Sequence, residues 1–200
     1  LNTGGSLLSD QEVRNCLMIM TNKSFYEFVM RLDSEENFKN CLPISDRRAD
    51  EQYRTELVLR LLISENIDWE KIKDYTDFAE LLDKETIALC SAKLDYDIVR
   101  DKFAATFGLL YGVFEENAFK KYNGKKYVGP VMAAAFQTIA AGVYKNIQEI
   151  LQLKNRNEWL TCKVQSLYSE ETFIRNTTPG VRSIPRFREL ALFGDEYFRP

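Results

Sequence analysis

Apolar positions recur at helical rather than strand spacing through most of the chain, which predicts an all-α, irregular multi-helix bundle. Ser9 and Glu12 stand at capping-box spacing, with Leu8 and Val13 placed as a hydrophobic staple across that cap. Val13, Cys16, Leu17 and Met20 then form the stripe expected to face the core, while Gln11, Arg14 and Asn15 fall on another face. After a polar break at Thr21 to Lys23, Ser24 to Met30 restarts a helix, and Glu35 to Leu42 adds a short one closed by Pro43. Ser45 or Asp46 caps a long helix running to Ser64, with Tyr53, Leu57 and Leu61 inward beside Val58 and Leu62. The next helix covers Asp77 to Cys90 through Phe78, Leu81, Leu82 and Ile87. From Asp95, the residues Ile98, Phe103, Phe107, Leu110 and Phe114 make the longest periodic stripe. Its neighbours are mainly Ala, Gly and Leu, so it reads as core and not as a base-stacking platform, which needs interleaved basic residues.

Val128 to Tyr144 carries no charge. It is short of the roughly 20 apolar residues a bilayer requires, and it contains Pro130, Gln137 and Thr138, so a buried central helix starting at Pro130 explains it better than a membrane span. That helix is expected to continue through Ile147, Ile150, Leu151 and Leu153 to Asn155. Trp159 to Tyr168 is apolar at alternating positions and fits either a short strand or a helical turn. Thr177 to Gly180 is a turn, and Ser183 with Pro185 reads as the cap and first turn of a last helix. The 200 residues are expected to form a single helical domain, divided into a glycine-bearing loop (1–8), N-terminal helices (9–64), a central bundle (77–155) and a C-terminal segment (156–200).

Composition changes this picture mainly by exclusion. The net charge of -3 gives no domain-wide basic field for nucleic acid. There are 0 histidines, which removes Ser-His-Asp and Cys-His catalysis, His-ligated metal and a His-Asn-His nuclease centre from this chain. No pair of carboxylates stands out from solvated helix faces, so no catalytic residue, metal site or cofactor is assigned. Cys16, Cys41, Cys90 and Cys162 include no Cys-x-x-Cys pair and read as reduced, buried thiols, in keeping with a cytoplasmic setting.

Three places carry candidate binding chemistry. Gly4 and Gly5 precede the capped helix, where free amides point back toward the loop; the pair is either a tight turn or part of an anion site. Lys120, Lys121, Lys125 and Lys126 surround Asn123-Gly124, which makes either a solvated turn or a contact with nucleic-acid phosphate. Arg175, Arg182, Arg186 and Arg188 cluster at the start of the last helix. Arginine there opposes the helix dipole, so anion binding or ion pairs with Glu189 or Asp195 must explain it. Glu56 and Arg60, one turn apart, read as an i,i+4 ion pair.

Asn2-Thr3-Gly4-Gly5, then Leu8, then Gln11-Glu12-Val13-Arg14-Asn15 closely resembles a motif of the GmrSD-type restriction-enzyme N-terminal domain family. Arg54 with Glu56-Leu57-Val58-Leu59-Arg60, and the Thr177 to Arg186 region, resemble it more weakly. In that family a ParB/sulfiredoxin-like half linked to nucleotide binding and hydrolysis precedes the motif and a helical half follows it. The resemblance therefore implies that this chain, which begins inside the motif, is the C-terminal helical portion of a larger two-lobed protein. It further implies a nucleoside triphosphate bound in the full-length protein, a site including Asn2, Thr3, Gly4, Gly5, Arg14, Asn15, Arg182 and Arg186, and Arg54 and Arg60 facing the other lobe. A His-Asn-His-type nuclease domain or subunit acting on DNA is the implied partner. The alternative is a non-enzymatic helical interaction domain with no nucleotide or DNA role.

Overall fold

A computed structural model describes residues 8–45, 47 and 52–200, and these form an all-α multi-helix bundle. Asn2, Thr3, Gly4 and Gly5, and the cap position Asp46, lie outside the described residues. The helices are α1 (Asp10–Thr21), α2 (Lys23–Asp33), α3 (Glu36–Asn40), α4 (Tyr53–Asn66), α5 (Phe78–Ser91), α6 (Tyr96–Phe114), α7 (Ala133–Gln152), α8 (Arg156–Leu167), α9 (Glu171–Thr177) and α10 (Ser183–Tyr197). A side-chain cap sets five of these ten starts. The Ser9–Glu12 capping box is formed, with the Ser9 amide donating to Glu12 Oε2 at 2.7 Å. The carboxylates of Asp77 and Asp95 accept first-turn amides of α5 and α6.

α7 is the central element: every residue from Ala135 to Tyr144 is buried, and it crosses α10 in the most extensive helix pairing of the fold. At the crossing Gly142 and Gly194 let the two backbones touch, and Asn146 Nδ2 donates to Gly142 O and to Asp195 O, both at 2.9 Å. On another side, Phe38, Phe103, Phe107, Phe119 and Phe136 form a chain of ring contacts that ties α3 and α6 to α7. One continuous apolar core runs from Met18 to Phe198. No described helix is long and apolar enough to cross a membrane.

Several expectations need correction. The central helix begins at Ala133 and not at Pro130, because the Met132 amide donates to Phe119 O and holds the preceding segment extended. Trp159 to Tyr168, whose pattern fits either a strand or a helical turn, is helical as far as Leu167 and buries Leu160, Val164 and Leu167 at i, i+4 and i+7. Ile87 and Ile98 are exposed, as are Cys16 and Cys162. Cys41 and Cys90 are buried, and burial pushes the Cys41 thiol up to about 12.

Asp33 carries a pH-dependent strain in this fold. Burial raises its carboxyl above the ordinary 3.8, although Thr55 Oγ1 donates to it at 3.1 Å. A carboxyl whose folded pKa is raised lets the unfolded chain lose its proton first, so its contribution to stability falls as pH climbs through that window. Asp33→Asn should therefore raise the thermal midpoint at pH 7 and leave it unchanged at pH well below the carboxylate range, read by paired melting curves.

Candidate functional site

The first helix is packed with its polar side inward. Gln11, Arg14, Asn15 and Met18 are buried, whereas Val13, Cys16, Ile19 and Met20 are exposed, Met20 to 83%. Of the stripe expected to face the core, Val13, Cys16 and Met20 thus face solvent and Leu17 is half-buried, with Leu8 beside them at 63% exposure. The reason is a set of polar partners on α4 and α5. Arg14 Nη1 donates to Gln11 Oε1 at 3.0 Å and to Glu56 Oε2 at 3.1 Å, and its Nε donates to Asp83 Oδ1 at 2.8 Å. Gln11 Nε2 donates to Asn15 Oδ1 at 2.9 Å, and Asn15 Nδ2 donates to Gln52 Oε1. An arginine 1% exposed is tolerable only because its charge is matched and its Nε and Nη1 donors are engaged.

Glu56 passes this network on. Its Oε1 accepts from Arg60 Nη2 at 2.6 Å, forming the i,i+4 pair expected from the spacing. Arg60 in turn lies over the Phe78 ring, 4.7 Å from its centroid, and lines a pocket of about 240 Å³ between α4, α5, α7 and α10. Gln137, Arg186, Phe187 and Leu190 complete most of the lining. Arg186 Nη2 donates to Val181 O at 2.8 Å, which fixes the side chain against the turn before α10. Neither Arg182 nor Arg186 forms an ion pair among the described residues, whereas Arg188 pairs with Glu189 at 2.9 Å and Arg199 with Asp195 at 3.6 Å. Arg182 is exposed and borders a neighbouring, more open cleft with Tyr75, Asp77 and Ser183.

The expected site residues therefore separate into groups. Arg14, through Glu56 and Arg60, is connected to the pocket that holds Arg186; Asn15 is committed to Gln11 and Gln52 on the other side of Arg14. Arg14 and Asn15 are thereby turned into the bundle by α4 and α5. Gln137 and Phe78 were not singled out as site residues from sequence. The one available signal was an amide within an otherwise uncharged run.

The lysine loop is a small hairpin, with Lys121–Tyr122 paired antiparallel to Tyr127–Val128. Asn123 Oδ1 accepts from the Lys125 and Lys126 amides at 3.1 and 2.9 Å, and Gly124 takes φ +89°, so the Asn-Gly turn forms as its chemistry requires. Lys121, Lys125 and Lys126 are exposed. Lys120 is turned away: it pairs with Glu116 at 2.8 Å and its side chain is only 16% exposed. Lys120 therefore differs from the other three lysines in having its ammonium held by Glu116, itself 60% exposed, in an i,i+4 pair.

Comparison with known protein families, characterised proteins and solved structures gives no match.

Proposed function

We propose that this chain is the helical half of a GmrSD-type protein of a bacterial or archaeal DNA restriction or defence system. It shares a nucleotide-responsive site with a ParB/sulfiredoxin-like half and passes the state of that site to a His-Asn-His-type nuclease that cuts DNA. One observation supports the reading above others: the segments that carry the resemblance meet in space. Arg14 reaches Glu56 across 42 residues, Glu56 holds Arg60, and Arg60 shares a pocket with Arg186. In this reading the exposed strip of Leu8, Val13, Cys16 and Met20 seats the ParB/sulfiredoxin-like half, so that covering an apolar face of α1 and loading the site are linked through Arg14.

Thiol reactivity tests the seating. In the 200-residue chain a maleimide should modify Cys16 and Cys162 quickly and the buried Cys41 and Cys90 slowly. In a longer protein carrying the other half, Cys16 should slow to the rate of Cys41 while Cys162 stays fast. Equal Cys16 rates in both proteins would sink the proposed seating. The same longer protein separates this reading from a plain interaction domain, which would also use an apolar strip. Asn2→Ala should depress nucleotide turnover per folded molecule with the thermal midpoint nearly unchanged, whereas an interaction domain leaves turnover untouched.

A further inference from the structure

We infer that the pocket between α4, α5, α7 and α10 binds a phosphoryl group, held by Arg60, Arg186 and Gln137. The assignment stands on the chemistry of the pocket and not on the two-lobe reading. Among the described residues six buried side-chain atoms have no hydrogen-bond partner, and three of them belong here: Arg60 Nε, Arg186 Nε and Gln137 Oε1. Unmatched buried polar atoms are uncommon because nothing repays their lost hydration, so their convergence on one cavity points to a polar ligand. Gln137 is only 5% exposed and lines this cavity.

The donors are oriented before any ligand arrives. One arm of each guanidinium is engaged, Arg60 by Glu56 at 2.6 Å and Arg186 by Val181 O at 2.8 Å, which fixes the plane and leaves Nε and the remaining amino group for oxygen acceptors. Arg60 is neutralised by Glu56, but Arg186 has no acidic partner among the described residues, so the pocket keeps a net positive charge. Two helices begin at its edge, α7 at Ala133 and α10 at Ser183, and neither has a side chain capping its first amides. Both therefore add the positive end of a helix dipole. Phe78, Phe187 and Leu190 supply apolar walls that keep these charges poorly screened.

The chemistry of this set selects the ligand. Several N–H donors suit the clustered oxygens of a phosphoryl group, and its singly protonated form can also donate to Gln137 Oε1. A volume of about 240 Å³ encloses one such group and a few further atoms, less than the space that surrounds a whole cofactor.

Calorimetric titration of the full chain with inorganic phosphate at constant ionic strength tests this. Saturable one-site binding is expected, weakened about tenfold by Arg186→Gln and unaffected by Arg182→Gln, which changes the same net charge outside the pocket. Gln137→Leu gives a second, opposed pair of readings: it should raise the melting temperature without phosphate, by removing an unmatched acceptor, and shrink the rise that phosphate produces. Absence of saturation, equal loss in the two arginine variants, or acetate binding as tightly as phosphate would each overturn the assignment. Displacement of phosphate by a nucleoside triphosphate supports the assignment with a nucleotide as the source of the group. Binding of phosphate without such displacement supports it with the free ion. The Cys16 protection experiment can fail while phosphate still binds, and the reverse, so the two inferences are separable.

Discussion

Gly142→Ala should destabilise the protein by about 3 kcal/mol, lowering the thermal midpoint by about 10 °C for a chain of this size. A Cβ on Gly142 would stand 2.6 Å from Gly194 C and 2.7 Å from Phe198 Cδ2, closer still to Gly194 O, where no side chain can swing away. In an open helix the same change would stabilise by about 1 kcal/mol, because Ala is the better helix former. The sign of the measured effect therefore decides whether α7 and α10 are in backbone contact. Gly194→Ala should behave alike, since its Cβ would run into Thr138 O on α7. The consequence reaches the pocket: α10 carries Arg186 and α7 carries Gln137, so pushing the helices apart should weaken phosphate binding as well as stability. Melting curves and phosphate titrations on the same variant check both, and a midpoint that rises would contradict the crossing described here.

What the sequence made legible was set locally. The Ser9–Glu12 box, the Asn123-Gly124 turn and the Glu56–Arg60 pair each depend on residues within four positions of one another, and all are formed. The face of α1 was not legible. Periodicity assigns the apolar side of a helix to the core, and here Arg14 finds Glu56 42 residues away and Asp83 69 residues away, so the polar side goes in instead. Tertiary pairing of charges leaves no trace in the spacing of apolar residues. The same limit hid the pocket. Arg60 and Arg186 were visible as candidates from different segments, but their meeting depends on α10 lying across α7, which rests on two glycines that a pattern of apolar positions does not weigh. Trp159 to Tyr168 was ambiguous because its alternation overlaid the Leu160, Val164, Leu167 stripe that the core uses.

Arg14→Met should be the most damaging single change in α1, costing about 3 kcal/mol in chemical denaturation with an unchanged denaturant slope. Removing one member of a buried ion pair is severe because the charges left behind lose their match, and Arg14 serves two carboxylates at once. The effect falls at the lower end of that range for two structural reasons. Asp83 has a side chain 38% exposed and can rehydrate, and Glu56 keeps Arg60 at 2.6 Å. Arg14→Lys should recover only part of the loss, since a single ammonium cannot reproduce a fork that spans α4 and α5. Glu56→Gln in the Arg14→Met background should cost less than Glu56→Gln alone, because the carboxylate has by then lost one of its two partners; the difference measures the coupling directly. The network also predicts a functional reading. With Arg14 gone, Glu56 can rotate wholly onto Arg60 and hold it more tightly, so phosphate affinity at the pocket should change in a residue that does not line it. If phosphate binds Arg14→Met and the unaltered chain equally well, Arg14 is a structural strut for α1 and plays no part in linking that helix to the pocket.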